Sequence, residues 1–321
     1  MKVLANDGIS DKAKSTLESQ GVTVSTDHVE QERLIDVINT EGYEGLLVRS
    51  ATKVRQDLID ACPGLRFIGR GGVGMDNIDV QYARDNGKVV FNTPAASSQS
   101  VAELVMAHLF AMARSLHRSY QEMPARGADD FKVLKKAYAK GIELRGKTLG
   151  IVGFGRIGTA VAQYALGCGM NVIGADRVGT SRKVTVEVPL GGSQSQAIDV
   201  EIPLMPLDEL IATADAITFH VPAQDDGSPV LDAEGVASMK RGAMIVNTAR
   251  GGTVDEAAVR EAVECGQLRG AALDVFVGEP KPDPALLKVE GLALTPHIGA
   301  ATLEAQDRIG DELVERILEM R

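Results

Sequence analysis

Short, wholly apolar runs alternate with segments of near-3.6 periodicity along almost the whole chain. In the first hundred residues the runs at 2–5, 22–25, 45–48, 65–68 and 88–91 read as buried strands. Amphipathic stretches between them predict helices over about 10–20, 30–39, 56–62 and 80–86, the first capped by Ser10. Asn92-Thr93-Pro94 interrupts the alternation. Ser100-Val101-Ala102-Glu103 then reads as a capping box opening a long apolar helix to about 119, with 120–145 as a charged, weakly periodic crossing segment. Further strands are predicted at 149–152, 171–175, 216–221, 243–248, 270–276 and 292–294. Helices are predicted at about 158–168, 207–213, 235–240, 255–265 and 302–320. One stretch departs from the rule: 184–204 alternates with period two on both sides of Gly191-Gly192-Ser193, which predicts a β-hairpin.

Strand and helix alternating at this spacing imply an α/β chain of two doubly wound parallel-sheet domains. The long final helix has an apolar face (Leu303, Ile309, Leu313, Ile317, Leu318) that must pack on something, and we expect it to return to the first domain. That gives 1–97 plus 297–321 as one discontinuous domain and 98–296 as the other. Composition adds exclusions. At 321 residues, with 44% hydrophobic and 24% charged positions, both domains can bury a core. The net charge of −10 argues against a nucleic-acid surface, and no apolar run is long enough to span a bilayer. Cys62, Cys168 and Cys265 are dispersed and odd in number, which predicts a reducing, cytoplasmic setting, no disulfide and no structural metal.

Candidate chemistry concentrates in the second half. In GIVGFGRIGTAV a strand turns through Gly153, Gly155 and Gly158 into a helix, and the following strand ends on Asp176. Glycine at those places permits the tight turn, the close approach of backbone N–H groups to a pyrophosphate, and the packing of helix on strand. The acid can accept hydrogen bonds from ribose hydroxyls, so a dinucleotide site is predicted, with NAD favoured because a carboxylate repels a 2′-phosphate. Arg177 and Arg182 nearby complicate that preference. Hydride addition to a ketone also needs a proton donor and a fixed positive charge. Arg250 in NTARGGTVDE, Glu279 in LDVFVGEP and His297 in LTPHIGA each follow a predicted strand, where open α/β sheets place ligands. A histidine paired with a carboxylate has its tautomer fixed and its basicity raised. The other histidines, His28, His108, His117 and His220, carry no such companion signal.

These motifs, with LLVRSATKV at 46–54, IGRGGVGMDNID at 68–79, FNTP at 91–94 and AALDVFVGEP, resemble the D-isomer-specific 2-hydroxyacid dehydrogenases, most closely their 3-phosphoglycerate dehydrogenase branch. The resemblance implies a flavodoxin-like substrate domain, a Rossmann NAD-binding domain and a cleft between them. It implies Arg250, Glu279 and His297 as the catalytic triad: His297 moving the proton, Glu279 orienting it, Arg250 polarising the carbonyl. For the cofactor it implies Val73, Gly153, Gly155, Arg156, Ile157, Gly158, Asp176, Val221, Thr248, Ala249, Arg250, Asp274 (near the nicotinamide carboxamide), His297, Gly299 and Ala300. For substrate it implies Arg49, Ser50, Arg70, Gly72, Val73, Gly74, Arg250 and His297, with Arg49 and Arg70 turned toward a phosphate. A homodimer formed through the 101–119 helix follows from the same resemblance.

The implied reaction is NAD-dependent oxidation of 3-phosphoglycerate in serine synthesis. Reduction of hydroxypyruvate, glyoxylate or another 2-keto acid is the alternative, and a dinucleotide-binding corepressor a more distant one. Several features depart from the pattern. The chain stops at Arg321, where longer phosphoglycerate dehydrogenases continue into a regulatory domain, and it contains no tryptophan. The loop after HVP reads AQDDGSPVLD, and the hairpin stretch is an insert.

Overall fold

In the computed structural model, which describes residues 1–192 and 194–320, the chain divides into two compact units. One is Met1–Ser100 with Ala300–Arg321, the other Val101–Gly299. Ser193 of the expected hairpin turn and Arg321 at the end of the expected first domain lie outside the described residues.

The first unit holds five parallel strands, β1 (Lys2–Ala5), β2 (Thr23–Ser25), β3 (Gly45–Val48), β4 (Phe67–Arg70) and β5 (Val89–Asn92), in the order β2-β1-β3-β4-β5. Helices α1 (Asp11–Ser19), α2 (Leu34–Glu41), α3 (Gln56–Ala61) and α4 (Val80–Asp85) connect them. Ser10 caps α1 by accepting the Ala13 amide. The strands are apolar runs because both faces are covered: Leu4, Leu46 and Ile68 face one core, and Val3, Leu47 and Phe67 the other. The second core is closed by the helix of the C-terminal segment, which contributes Ile309, Leu313, Val314 and Ile317.

α5 (Ser98–Arg114) leads into the second unit. It starts at Ser98, so the expected capping box is not one. Ser100 lies inside the helix with its hydroxyl 2.8 Å from Thr302 Oγ1, and Glu103 instead accepts from the Tyr164 hydroxyl at 2.7 Å. The expected continuous helix to 119 also breaks, at Ser115, which adopts a left-handed conformation (φ 52°). A second helix, α6 (Leu116–Ala137), runs through most of the segment read as a charged crossing segment. Glu122, Arg126 and Asp130 form a charge ladder at i,i+4 spacing along it, the backbone kinks at Asp130 (φ −109°, ψ 19°), and Leu134 is buried.

The second unit's sheet comprises β6 (Thr148–Val152), β7 (Asn171–Ala175), β10 (Ala216–Phe219), β11 (Ala243–Asn247), β12 (Leu268–Leu273) and β13 (Leu292–Leu294), all parallel, in the order β13-β12-β11-β10-β6-β7. Four helices, α7 (Arg156–Gly167), α8 (Leu207–Thr213), α9 (Ala233–Ser238) and α10 (Glu256–Glu264), follow its strands. The insert forms an antiparallel hairpin, β8 (Ser181–Gly191) and β9 (Gln194–Pro203). Val184 and Ile202 pack from it into the core beneath α7. The chain then closes with α11 (Leu303–Glu319), capped by Thr302 and belonging to the first unit.

His297 falls in the second unit rather than in the expected 297–321 segment of the first. Its backbone N–H donates to Asp274 O at 2.8 Å, and the amides of Ile298 and Gly299 donate to the Asp274 carboxylate, tying residues 297–299 to the end of β12.

Candidate active site

Register across the second sheet sets Leu294, Leu273, Asn247, Phe219, Val152 and Ala175 side by side. The residues that follow them, Thr295, Asp274, Thr248, His220, Gly153 and Asp176, therefore line its carboxyl edge in one row. Nearly every residue singled out in the second half of the sequence sits in this row or one turn beyond it.

At the β6 end, Gly153 has φ 93°, and a Cβ there would lie 2.7 Å from the His220 carbonyl oxygen. A Cβ on Gly158 would collide with the Gly153 carbonyl, whereas one on Gly155 would meet nothing within 4 Å. Two glycines thus serve the protein's own packing, and the third leaves space open over the start of α7. Gly155 is the N-cap of α7 and makes no side-chain cap hydrogen bond, so the first-turn amides around Arg156, Ile157 and Gly158 face that space. Val221 abuts Gly153, its Cγ1 lying 2.8 Å from the same notional Cβ. Asp176 accepts the Phe154 amide at 3.0 Å and the Arg177 amide at 2.7 Å.

Two buried polar atoms in the row, Thr248 Oγ1 and His220 Nδ1, have no hydrogen-bond partner among the described residues. His220 Nε2 faces Thr218 Oγ1 at 3.0 Å, and desolvation pushes the ring's pKa down to about 3, so it is neutral. Orphaned polar groups beside an open, glycine-lined helix start are what a bound dinucleotide would satisfy, and the residues present fit NAD.

Farther along the row, Glu279 and His297 meet. Glu279 Oε2 lies 2.9 Å from His297 Nδ1, while its Oε1 accepts the Phe276 amide at 2.8 Å. His297 has φ 53°, a left-handed backbone that non-glycine residues adopt only when held. Asp274 does the holding. Both its oxygens are engaged by the loop: Oδ1 accepts from Thr295 Oγ1 (2.6 Å) and Ile298 N (2.8 Å), and Oδ2 from Gly299 N (2.9 Å). Asp274 thus braces the histidine loop, a role distinct from the nicotinamide contact that the resemblance implies.

Arg250 lies on the loop after β11. Asn247 Nδ2 donates to its carbonyl at 2.9 Å, Asn247 Oδ1 accepts the Ala249 amide, and Arg250 Nη1 donates to Ala249 O at 2.6 Å. Behind the loop of Glu279, Glu256 accepts the Val277 amide at 2.7 Å, and burial raises the Glu256 carboxyl above the ordinary glutamate value.

Sequence reading missed two contributors. His108, on α5, places Nε2 3.2 Å from Thr295 Oγ1. Since the threonine hydroxyl donates to Asp274, its oxygen is left to accept from His108 Nε2–H. A chain His108–Thr295–Asp274 therefore ends on the loop carrying His297. Its partners are far apart in sequence, so no local spacing could have exposed it. His220 was missed for the opposite reason, since what marks it is an unmet hydrogen bond.

The first unit carries the other predicted residues at the carboxyl ends of β3 and β4. Asp7 and Asn77 pin the 49–52 turn: Asp7 accepts the Arg49 and Thr52 amides, and Asn77 Nδ2 donates to the Arg49 and Thr52 carbonyls. Ser50 and Val73 are exposed, and Gly74 is half-buried. Arg49 is half-buried and its guanidinium donates to Gln306 Oε1. Arg70 folds over Gly72 (φ 143°), where a side chain would collide with its guanidinium. Ala300 accepts from Gln306 Nε2 at 2.8 Å.

Comparison with known proteins places this architecture. Residues 106–299 match the family described as D-isomer specific 2-hydroxyacid dehydrogenase, NAD binding domain. The chain belongs to the D-isomer-specific 2-hydroxyacid dehydrogenase family. It is 41% identical over 320 residues to a hydroxypyruvate reductase of Thermotoga maritima, covering 98% of this chain and 97% of that protein. It is 40% identical to a D-3-phosphoglycerate dehydrogenase of Methanocaldococcus jannaschii, covering 99% of this chain but only 57% of that protein. The chain thus spans little more than half the length of the phosphoglycerate dehydrogenases it matches. Among solved structures, a glyoxylate reductase from Paecilomyes thermophila aligns with a TM-score of 0.81 at 27% identity, over 99% of this chain and 94% of that one. The protein is an NAD-dependent D-2-hydroxyacid dehydrogenase by family. No helix among the described residues is long and apolar enough to cross a membrane.

Proposed function

We propose that this dehydrogenase reduces a small 2-keto acid, hydroxypyruvate or glyoxylate, to the D-2-hydroxy acid. The observation that carries the reading is the 2.9 Å His297–Glu279 contact on a backbone forced left-handed by Asp274. With Nδ1 turned to the Glu279 carboxylate, Nε2 is the ring atom that carries the working proton. Gly153–Gly158, Asp176 and Thr248 would hold NADH, which would supply the hydride. His297 Nε2 gives its proton to the carbonyl oxygen as charge develops there, and Glu279 stabilises the ring's orientation throughout. Arg250 grips the substrate carboxylate and polarises the carbonyl. Val221, Ala249 and Gly299 line the dinucleotide in this reading.

Two observations favour a small acid over a phosphorylated one. The Arg49 guanidinium is half-buried and engaged with Gln306, and burial lowers its pKa from the ordinary arginine value. A relative matched over nearly its full length, from Thermotoga maritima, is a hydroxypyruvate reductase. Oxidation of 3-phosphoglycerate is the second reading, favoured by Val48 and Arg70 standing in register so that Arg49 and Arg70 leave adjacent strand ends. The deciding experiment is a panel: hydroxypyruvate, glyoxylate and phosphohydroxypyruvate with NADH, and 3-phosphoglycerate with NAD. A kcat/KM for hydroxypyruvate or glyoxylate above that for both phosphorylated acids supports the first reading, and the reverse order replaces it with the second.

The working assembly in this reading is a homodimer through the α5 region. The large apolar side chains of Phe110, Tyr120, Met123, Phe131 and Val133 are exposed on α5 and α6, which supports this assembly. Sedimentation as a stable monomer at micromolar concentration would remove it.

A further inference from the structure

In open α/β sheets the strand that ends in the ribose-binding acid is ordinarily followed by a helix. Here β7 is followed by the β8–β9 hairpin, and the hairpin reaches back to the acid. Arg182, Val184 and Val186 alternate along β8 on the face turned to the unit's core, and Val184 is wholly buried there. Gln163 of α7 donates to the Thr185 carbonyl at 2.7 Å and Gly174 pairs with Leu204, so the hairpin is fastened at both its strands. Fixed in this way, Arg182 puts Nη2 3.2 Å from Asp176 Oδ2 and 3.4 Å from the Val178 carbonyl. Asp176 Oδ2 already accepts the Phe154 amide, so Arg182 occupies a lone pair that a ribose hydroxyl would otherwise use. Arg177 stands beside them, exposed, its amide donating to Asp176 Oδ1 and its guanidinium making no hydrogen bond or ion pair among the described residues. The Asp176 carboxylate is paired with the Arg182 guanidinium, and Arg177, the next residue in the chain, adds a second exposed positive charge, on a chain whose total is −10.

We propose that the hairpin makes this a dual-specificity cofactor site: Arg182, with Arg177, receives the 2′-phosphate of NADP, so the protein binds NADP as well as NAD. A lone Asp176 would repel that phosphate. With Arg182 neutralising the acid, the phosphate displaces the carboxylate from the guanidinium and takes the fork for itself, as arginine geometry favours. With NAD, the Asp176 oxygens turn to the ribose diol instead. Arg182 is in this account a specificity-determining residue contributed by the insert, whichever acid is reduced.

The test is binding of NADH and NADPH, followed by nicotinamide fluorescence on the intact protein without any acid substrate. The wild type binds NADPH within about tenfold of NADH, Arg182→Gln weakens NADPH by about tenfold and leaves NADH unchanged or tighter, and Arg182→Lys retains most NADPH affinity. Arg177→Gln weakens NADPH by a smaller factor with the hairpin contact intact, which guards against a loosened hairpin in the Arg182 variants. A wild type that binds NADH well but NADPH more than a thousandfold worse overturns the proposal and leaves the dehydrogenase reading standing. An NADH-to-NADPH ratio unchanged by both arginine variants also overturns it. Failure to bind either nucleotide rejects this proposal together with the cofactor role of the glycine-rich turn.

Discussion

His297 Nδ1 and Glu279 Oε2 lie 2.9 Å apart, and the second Glu279 oxygen is fixed by the Phe276 amide. The carboxylate is thereby held at both ends, one on the backbone and one on the imidazole. A histidine gripped in this way has one ring nitrogen available for chemistry.

Replacing His297 tests the chemistry separately from the fold. Asparagine tolerates a left-handed backbone, so His297→Asn keeps the φ of 53° without new strain. The variant melts within a few degrees of the wild type while kcat falls by about 10³-fold, within the range for loss of a general acid. A large drop in melting temperature would assign His297 a mainly structural role.

The brace behind the histidine gives a second prediction. Thr295→Val leaves His108 Nε2 without its partner and removes one of the two donors to Asp274 Oδ1, a loss of about 1–3 kcal/mol for a buried polar group. It lowers kcat more than it raises the KM for the keto acid, because the loop that aims His297 loosens. His108→Phe moves both in the same direction by a smaller amount, and a variant with unaltered kcat would disconnect α5 from the site.

The glycine-rich turn separates packing from ligand contact. Gly158→Ala drives a methyl group into the Gly153 carbonyl and destabilises the protein by about 1–3 kcal/mol. Gly155→Ala meets nothing within 4 Å and folds as the wild type does, yet it weakens NADH binding by about tenfold or more because the methyl stands where the pyrophosphate approaches. Thermal melts and NADH titrations of the two variants check both halves. Equal effects of both variants on stability would refute the division.

Acid sensitivity follows from the buried imidazoles. Burial pushes His220 down to about 3 and lowers His108 and His117 from the usual histidine value. Above pH of about 6.5 these rings are neutral in both the folded and the unfolded chain. Below it the unfolded chain takes up protons that the native rings refuse, so stability declines as pH falls, and for His220 the decline continues to about pH 3. Between pH 6.5 and 5 the loss from His220 alone is about 2 kcal/mol. Urea denaturation at pH 7.5 and 5.0 measures it, and His220→Gln shrinks the difference by that amount.

The sheets and the glycine turn could be read from sequence because strands buried on both faces are unbroken apolar runs and glycine is demanded by backbone geometry. Arg250, Glu279 and His297 could be nominated because each follows such a run. The hairpin was visible as period-two alternation about Gly191-Gly192. The break at Ser115 and the helix beyond it were not visible, since that helix is mostly polar and carries Pro124 in its interior. The Ser100–Glu103 pattern misled because the same residues serve tertiary partners, Thr302 and Tyr164, and burial with the Glu103 contact pushes the Tyr164 phenol up to about 12. The roles of Asp274 and His108 were hidden because each acts through residues brought near only by folding.

The first unit is assembled from both ends of the chain, with Ser10 and Ala13 of the α1 region pressed against Gly310 of α11 and Lys12 paired to Asp311 at 2.8 Å. During synthesis the N-terminal hundred residues emerge long before the helix that covers Val3, Ala5, Leu17 and Phe67 has been made. The contiguous second unit can condense in the interval, while an apolar sheet face upstream waits uncovered on the ribosome. That face stays open to non-native contacts until α11 has emerged to cover it.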